Sequence, residues 1–242
     1  MLRCDALTSV LVISPHADDE VLGCGGLLAQ LARSPAHVHV LYVAVDGFHH
    51  YGLEEPTTFE QRVREIEAVA ARFELTYDIV FPDKDLIEKL DTLPKRDLVD
   101  RFEAAINDAL PDLLLLPSGA DYDQDHVAVF SAAFAAARPI PEVFGKHVVQ
   151  HVLTYETTKL NWSVEPQPRA TMYCDITGDL DAKLAGLRCY ETQFRPSPHI
   201  RSPESIAALA TLRGKEIGVE HAEAFGVLRA VMTPPSSPFT ER

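Results

Sequence analysis

Val12-Ile13-Ser14-Pro15-His16-Ala17-Asp18-Asp19-Glu20 joins an apolar run to a histidine and three carboxylates packed into five positions. The residues from Leu7 to Ser14 read as a buried strand ended by Pro15, and from Glu20 to about Ala32 the pattern turns helical. The acidic cluster therefore stands at the C-terminal end of a strand. Like charges this close oppose each other's ionisation, so a cation, a helix N-terminus or hydrogen-bond donors must offset them. In one reading a divalent metal is held by His16 and Asp19. In the other, Asp18, Asp19 and Glu20 cap the following helix, where carboxylates stabilise free backbone N–H groups.

Working outward, Gly23, Gly25 and Gly26 each cost about 1 kcal/mol in a helix interior, which close helix–strand packing or close approach of a ligand would explain; packing is favoured. His37–Val45 is a second strand, so His37 and His39 are strand residues rather than ligands, and Asp46-Gly47 is a turn signal. Phe48–Thr58 has no period and reads as a loop suited to substrate contacts. Phe59 to about Glu74 is amphipathic, Thr76–Phe81 is a third strand, and a helix opened by Leu93-Pro94 runs to about Leu110. Asp112–Leu116 is a fourth strand, stopped by Pro117-Ser118-Gly119, and Val127–Ala137 is helical. This strand–loop–helix alternation predicts an α/β fold, a largely parallel sheet covered on both faces. Beyond Pro139 the pattern gives a strand at Val148–Tyr155, irregular chain over Glu156–Ala170, a short strand at Met172–Ile176, and helices at Leu180–Thr192 and Pro203–Ile217. No internal repeat or domain boundary appears, so one domain is expected over residues 1–242, with a mobile tail from about 232 to 242.

At 242 residues, 46% hydrophobic and 24% charged, the chain can bury a substantial core. A formal charge of −14 argues against nucleic-acid backbone and anionic membranes as partners. Residues 1–8 lack the apolar core of a signal peptide, and no later run approaches the roughly 18 apolar residues of a spanning helix, so a cytoplasmic location without membrane insertion is expected. Cys4, Cys24, Cys174 and Cys189 form no C-x-x-C pair and read as reduced thiols. Self-association as a homo-oligomer is left open.

Ligands of parallel sheets bind outside the C-terminal strand ends, so a partner for the first cluster is expected after the fourth strand. That loop, Ser118-Gly119-Ala120-Asp121-Tyr122-Asp123-Gln124-Asp125-His126, is dense in acid and ends in a histidine at a helix start. His16, Asp19 and His126 make a two-histidine, one-carboxylate set with positions left for water, the pattern of a catalytic zinc. The same donors suit Fe2+, Mn2+ or Co2+. Zinc lowers the pKa of a bound water to about 7, and Asp18, beside a ligand, is placed to take its proton.

These residues also carry a family resemblance. Pro15-His16-Ala17-Asp18-Asp19-Glu20 with Gly25-Gly26 resembles the opening motif of the PIG-L/LmbE family of metal-dependent N-deacetylases, in which proline usually stands where this chain has Ala17. Asp46-Gly47, Arg62 with Glu65, Gln124-Asp125-His126, Tyr155-Glu156, Lys183, Tyr190, Gln193, Arg213-Gly214 and Ala222-Glu223-Ala224-Phe225 follow in the family's order, from about residue 9 to 226. The resemblance implies a Rossmann-like three-layer α/β/α fold with a mostly parallel sheet. It implies hydrolysis of an N-acetyl group from an amino-sugar conjugate, a small molecule or glycan of N-acetylglucosamine type. Zn2+ would be held by His16, Asp19 and His126, with Asp18 as base. Substrate contacts are expected at Asp46, Arg62 and Asp123; the alternative for Arg62 is a surface arginine paired with Glu65 or Glu67. Asp125 is expected to orient a ligand or its neighbour.

One departure stands out. Three residues before the ligand histidine the family often has a second histidine that polarises the carbonyl, and this chain has Asp123. An ionised aspartate cannot donate to an oxyanion. Asp123 points elsewhere, stays protonated, or yields the role to His49, His50, His199, His221 or Tyr122. Rival readings are a sugar-binding protein on the same scaffold, a hydrolase of another amide, and a phospho-receiver module. The last draws on paired acids after the first strand and on Phe81-Pro82-Asp83, but leaves His16 and His126 without a use.

Overall fold

The computed structural model describes residues 3–45, 57–82, 85–158 and 170–232, and strands alternate with helices through most of them. In order these are β1 (Ser9–Ser14), α1 (Asp19–Leu31), β2 (His37–Tyr42), α2 (Phe59–Phe73), β3 (Thr76–Ile79), α3 (Lys95–Ala109) and β4 (Leu113–Leu116). The chain continues through α4 (Gln124–Ala136), β5 (His151–Tyr155), β6 (Met172–Asp175), α5 (Leu180–Arg188), α6 (Pro203–Ile217) and β7 (Ala222–Ala230).

The sheet order is β3-β2-β1-β4-β5-β7-β6. The first five strands in that order pair in parallel. β7 enters antiparallel to both β5 and β6. Because side chains alternate across a strand, β1 feeds two cores. Val10 and Val12 pack with Val21, Leu28, Ile66 and Phe73 under α1 and α2, while Leu11 and Ile13 pack with Phe102, Ile106 and Val129 under α3 and α4. The result is the expected three-layer α/β/α arrangement with a mostly parallel sheet.

The glycines of α1 serve packing. A Cβ on Gly26 would lie 2.4 Å from Ile176 Cγ2, and one on Gly23 2.4 Å from the Tyr155 ring. That closeness lets Glu223 of β7 accept the Gly26 and Leu27 N–H groups at 2.8 and 2.9 Å. Lys183 of α5 donates to the same carboxylate at 2.6 Å, so a buried charge has both a counter-charge and hydrogen bonds.

Three expectations are corrected. Residues 222–230 form a strand that the pattern did not reveal, because the acid Glu223 occupies an inward position and Gly226 interrupts the run. α4 begins at Gln124 rather than Val127, since Asp123 caps it by accepting the Asp125 N–H at 3.0 Å. α5 stops at Arg188 rather than Thr192, and Tyr190 turns into the core. Asp46, His49, His50, Asp83, Trp162, and the tail beyond residue 232 lie outside the described residues, as does most of the loops at 48–58 and 156–170. Among the described residues the four cysteines are unpaired and no helix is long and apolar enough to cross a membrane.

Candidate metal centre

β1 and β4 are neighbours whose following helices lie on opposite faces of the sheet, so the crevice beyond their C-terminal ends is where such sheets bind ligands. β1 delivers the acidic stretch to that crevice, where the His16 N–H donates to Asp19 Oδ2 at 3.1 Å and closes a tight loop. β4 delivers the first turn of α4 and with it His126. Asp19 Oδ2 lies 3.5 Å from His16 Nδ1 and 3.2 Å from His126 Nε2. One donor atom from each of the three residues falls within 4.8 Å of the others, so this group could hold a metal ion.

The imidazole nitrogens that face away from Asp19 are both tied to carboxylates. His16 Nε2 is 2.8 Å from Asp125 Oδ2, and the Asp125 carboxylate also accepts the Glu88 and Leu90 N–H groups at 2.7 and 2.8 Å. His126 Nδ1 is 2.8 Å from Asp121 Oδ2, while Asp121 Oδ1 accepts the Asp123 N–H at 3.1 Å. Acceptors on the outer nitrogens fix the tautomers that leave His16 Nδ1 and His126 Nε2 free to coordinate. This donor chemistry fits a divalent cation.

Electrostatics agree. Burial opposes protonation of His16, yet Asp125 and Asp19 outweigh it and hold the pKa at about 9. Burial likewise works against charge on His126 and Asp19, but their mutual attraction prevails, raising the histidine well above its usual range and pressing the aspartate well below. A cation entering here displaces those protons. Asp121, which the sequence reading passed over within the acid-dense loop, is thus a support for His126. Asp121→Ala is expected to weaken metal binding about 10- to 100-fold in a chelator competition titration. Unchanged affinity would remove it from the site.

Asp18 stands at the N-cap of α1 without capping it. Its φ of 129° is a conformation that non-glycine residues rarely adopt, costing on the order of 1–3 kcal/mol and found where neighbours over-determine the backbone. Asp18 Oδ2 instead faces Arg201 Nη1 at 3.2 Å, and the same nitrogen donates to Gln193 Oε1 at 2.8 Å. Burial raises the Asp18 pKa, Asp19 adds to that, and Arg201 opposes it. Glu20, assigned from sequence to the helix start, does accept the Asp18 N–H at 3.2 Å. It is fully buried, however, and also accepts from the Tyr190 hydroxyl and from Ser14 Oγ, with burial pushing its pKa up to about 7. It is a buried node rather than an exposed cap.

Arg62 is buried beside the same loop. Its guanidinium donates to the Ala17 carbonyl, to Glu65 and to Thr192 Oγ1, and lies 5.5 Å from the Tyr190 ring centre. With 5% of its side chain exposed, it is not the surface arginine of the alternative reading, although the pairing with Glu65 is present, and it braces the metal loop through Ala17. Asp123 does border the site: Oδ2 is 4.0 Å from His126 Nε2 while Oδ1 holds the helix cap. Asp18, Asp19, His16, His126 and Asp123 are therefore brought together, with Arg62 beside them against the Ala17 carbonyl. Arg201 is an addition that no periodicity or motif announced, and it meets Gln193, a residue of the motif series.

Comparison with known proteins places this geometry. Residues 11–137 match the family model described as PIG-L, GlcNAc-PI de-N-acetylase. A protein of Escherichia coli K12 described as the uncharacterized deacetylase YaiS is 25% identical over 163 residues, 65% of this chain and 78% of the relative. GalB, the 4-carboxy-2-hydroxymuconate hydratase of Pseudomonas putida KT2440, superposes with a TM-score of 0.72 at 22% identity, over 95% of this chain and 100% of its own. The N,N'-diacetylchitobiose deacetylase of Pyrococcus horikoshii gives 0.69 at 20% identity, over 96% and 88%. At these identities the solved structures show a shared fold.

Proposed function

The chain belongs to the PIG-L family of GlcNAc-PI de-N-acetylases, and from that membership we propose that it is a divalent-metal hydrolase removing an N-acetyl group from an amino-sugar conjugate. The observation that carries this reading is the convergence of His16 Nδ1, Asp19 Oδ2 and His126 Nε2 with the Asp18 carboxylate next in the chain. Zinc is the proposed cation, and when bound it supplies Lewis acidity, lowering the pKa of water and offsetting charge that develops on a carbonyl oxygen.

The protein's own groups do the rest. Asp125 and Asp121 hold the two imidazoles in the tautomers that coordinate. Asp18, its basicity raised by burial, takes a proton from the attacking water and passes it to the departing nitrogen. Arg62, through the Ala17 carbonyl, keeps the loop that carries Asp18 and Asp19 in place. The amide C–N bond breaks, releasing acetate and a free amine. The chitobiose deacetylase, a neighbour that acts on an acetylated sugar by its printed name, is consistent with that substrate class.

The test is acetate release by the zinc-loaded protein from a panel of N-acetylglucosamine conjugates: free sugar, sugar nucleotide, and glycan. Release from at least one, lost on chelation and restored by zinc, is expected. No release while a conjugate still binds would make this a sugar-binding protein on the same scaffold.

A further inference from the structure

Hydrolysis of an amide puts negative charge on the carbonyl oxygen, and a hydrogen-bond donor aimed at that oxygen is among the largest contributions a site can make. The side chain at position 123 has no N–H to offer: the Asp123 carboxylate borders the metal position, and its Oδ1 is engaged as an acceptor of the Asp125 N–H. Of the four histidines weighed from sequence, two are among the described residues. His199 Nδ1 accepts the Arg201 N–H at 3.0 Å, and His221 lies beside Thr177 next to the outer strand β6. His49 and His50 are outside the described residues.

Arg201 fits the need. It precedes α6, whose first turn is fixed by Ser202 as N-cap and Pro203 at the first helical position. Its Nη1 is shared between Asp18 and Gln193, and among the described residues Nε and Nη2 have no acceptor. A guanidinium carries five donors in a rigid fork and stays charged, so donors remain for a ligand. Its side chain is 22% exposed, enough for a substrate to reach and little enough for the field to be strong. Asp18 first, then Asp19, Tyr122 and Asp123, act on its charge, which places the cation among the groups that surround the metal position.

The arrangement also constrains where the reaction occurs. With Asp18 Oδ2 held by Arg201, Oδ1 is the oxygen left to receive a proton from water. The carbonyl attacked by that water must then lie beside Asp18, within reach of the same guanidinium.

We propose that Arg201 is a catalytic residue, the oxyanion donor of this site, in the role that Asp123 cannot perform. The inference rests on the deacetylase reading. Water oxygen adds to the carbonyl carbon as Asp18 takes one water proton, and the carbonyl π pair moves to oxygen, where an Arg201 N–H donates. On collapse the C–N bond breaks, and the proton on Asp18 goes to nitrogen, giving the amine and acetic acid, which ionises to acetate.

The experiment compares wild type, Arg201→Gln, Arg201→Lys and Tyr122→Phe in the zinc-loaded protein. It uses the substrate with the fastest acetate release and a methylphosphonamidate of the same amine, a tetrahedral anionic analogue of the transition state. Arg201→Gln should lower kcat about 10²- to 10³-fold with KM little changed. By calorimetry it should weaken the analogue by a similar factor, while affinity for the free amine and zinc stoichiometry stay at wild-type levels. Arg201→Lys, which keeps charge and a single donor group, should fall between. If Arg201→Gln fails to fold or to hold zinc, the lysine variant's analogue affinity decides in its place. Unchanged kcat, a rise in KM alone, or the loss appearing in Tyr122→Phe instead would overturn the proposal. Wild type that releases no acetate from any conjugate would count against the deacetylase reading, a separate outcome from an active wild type matched by an active Arg201→Gln.

Discussion

Asp18→Asn is expected to retain one equivalent of zinc and to lose about 10²- to 10⁴-fold in kcat, the range that a general base contributes. The substitution is nearly isosteric. The asparagine amide oxygen can still accept from Arg201, and asparagine tolerates positive φ better than most residues, so the unusual backbone at position 18 survives. What disappears is the capacity to accept a proton. Metal should be unaffected, because the three converging donor atoms belong to His16, Asp19 and His126. Measuring zinc by mass spectrometry and acetate release on the same sample separates the two effects. A variant that turns over near the wild-type rate would remove Asp18 as the base.

Asp19→Ala should abolish stoichiometric metal altogether. Its Oδ2 is the atom both imidazoles face, at 3.5 and 3.2 Å, and it is the one carboxylate in the converging set. Without it two imidazoles 5.5 Å apart remain, each still tied on its outer side to an aspartate. Two neutral nitrogens and no anion make a poor site for a divalent ion. The fold should persist, since the cores on either side of the sheet do not include Asp19. Near-ultraviolet circular dichroism would verify this, and full zinc retention in a folded variant would sink the ligand assignment.

Much of the parallel half of the sheet was legible because a strand buried on both faces is an apolar run, and the runs of β1 and β4 are each stopped by a proline. The cluster at residues 16–20 was legible because those residues are consecutive, and His126 because it repeats the same placement after β4. What could not be read has a common cause. Asp121 and Arg201 act from loops without a period, and their partners lie 5 and 183 residues away in the chain. Arg62 shows the opposite case: a motif position gives the residue type but not the number of acceptors folding brings to it, here the Ala17 carbonyl, Glu65 and Thr192. β7 escaped notice because its inward acid serves α1 instead of joining an apolar face.

That last strand bears on the order in which the molecule can be completed during synthesis. The three converging donors are all made within the first 126 residues, together with the carboxylates that orient the two imidazoles. Yet the helix that begins at Asp19 acquires acceptors for its Gly26 and Leu27 N–H groups, and Lys183 its counter-charge, when Glu223 arrives some hundred residues later. β7 must then slide between β5 and β6, so β6 has no strand of the sheet to pair with until the ribosome has passed residue 230. A nascent chain therefore carries every coordinating group well before it carries the piece that locks them, and early metal would meet a binding loop still free to move.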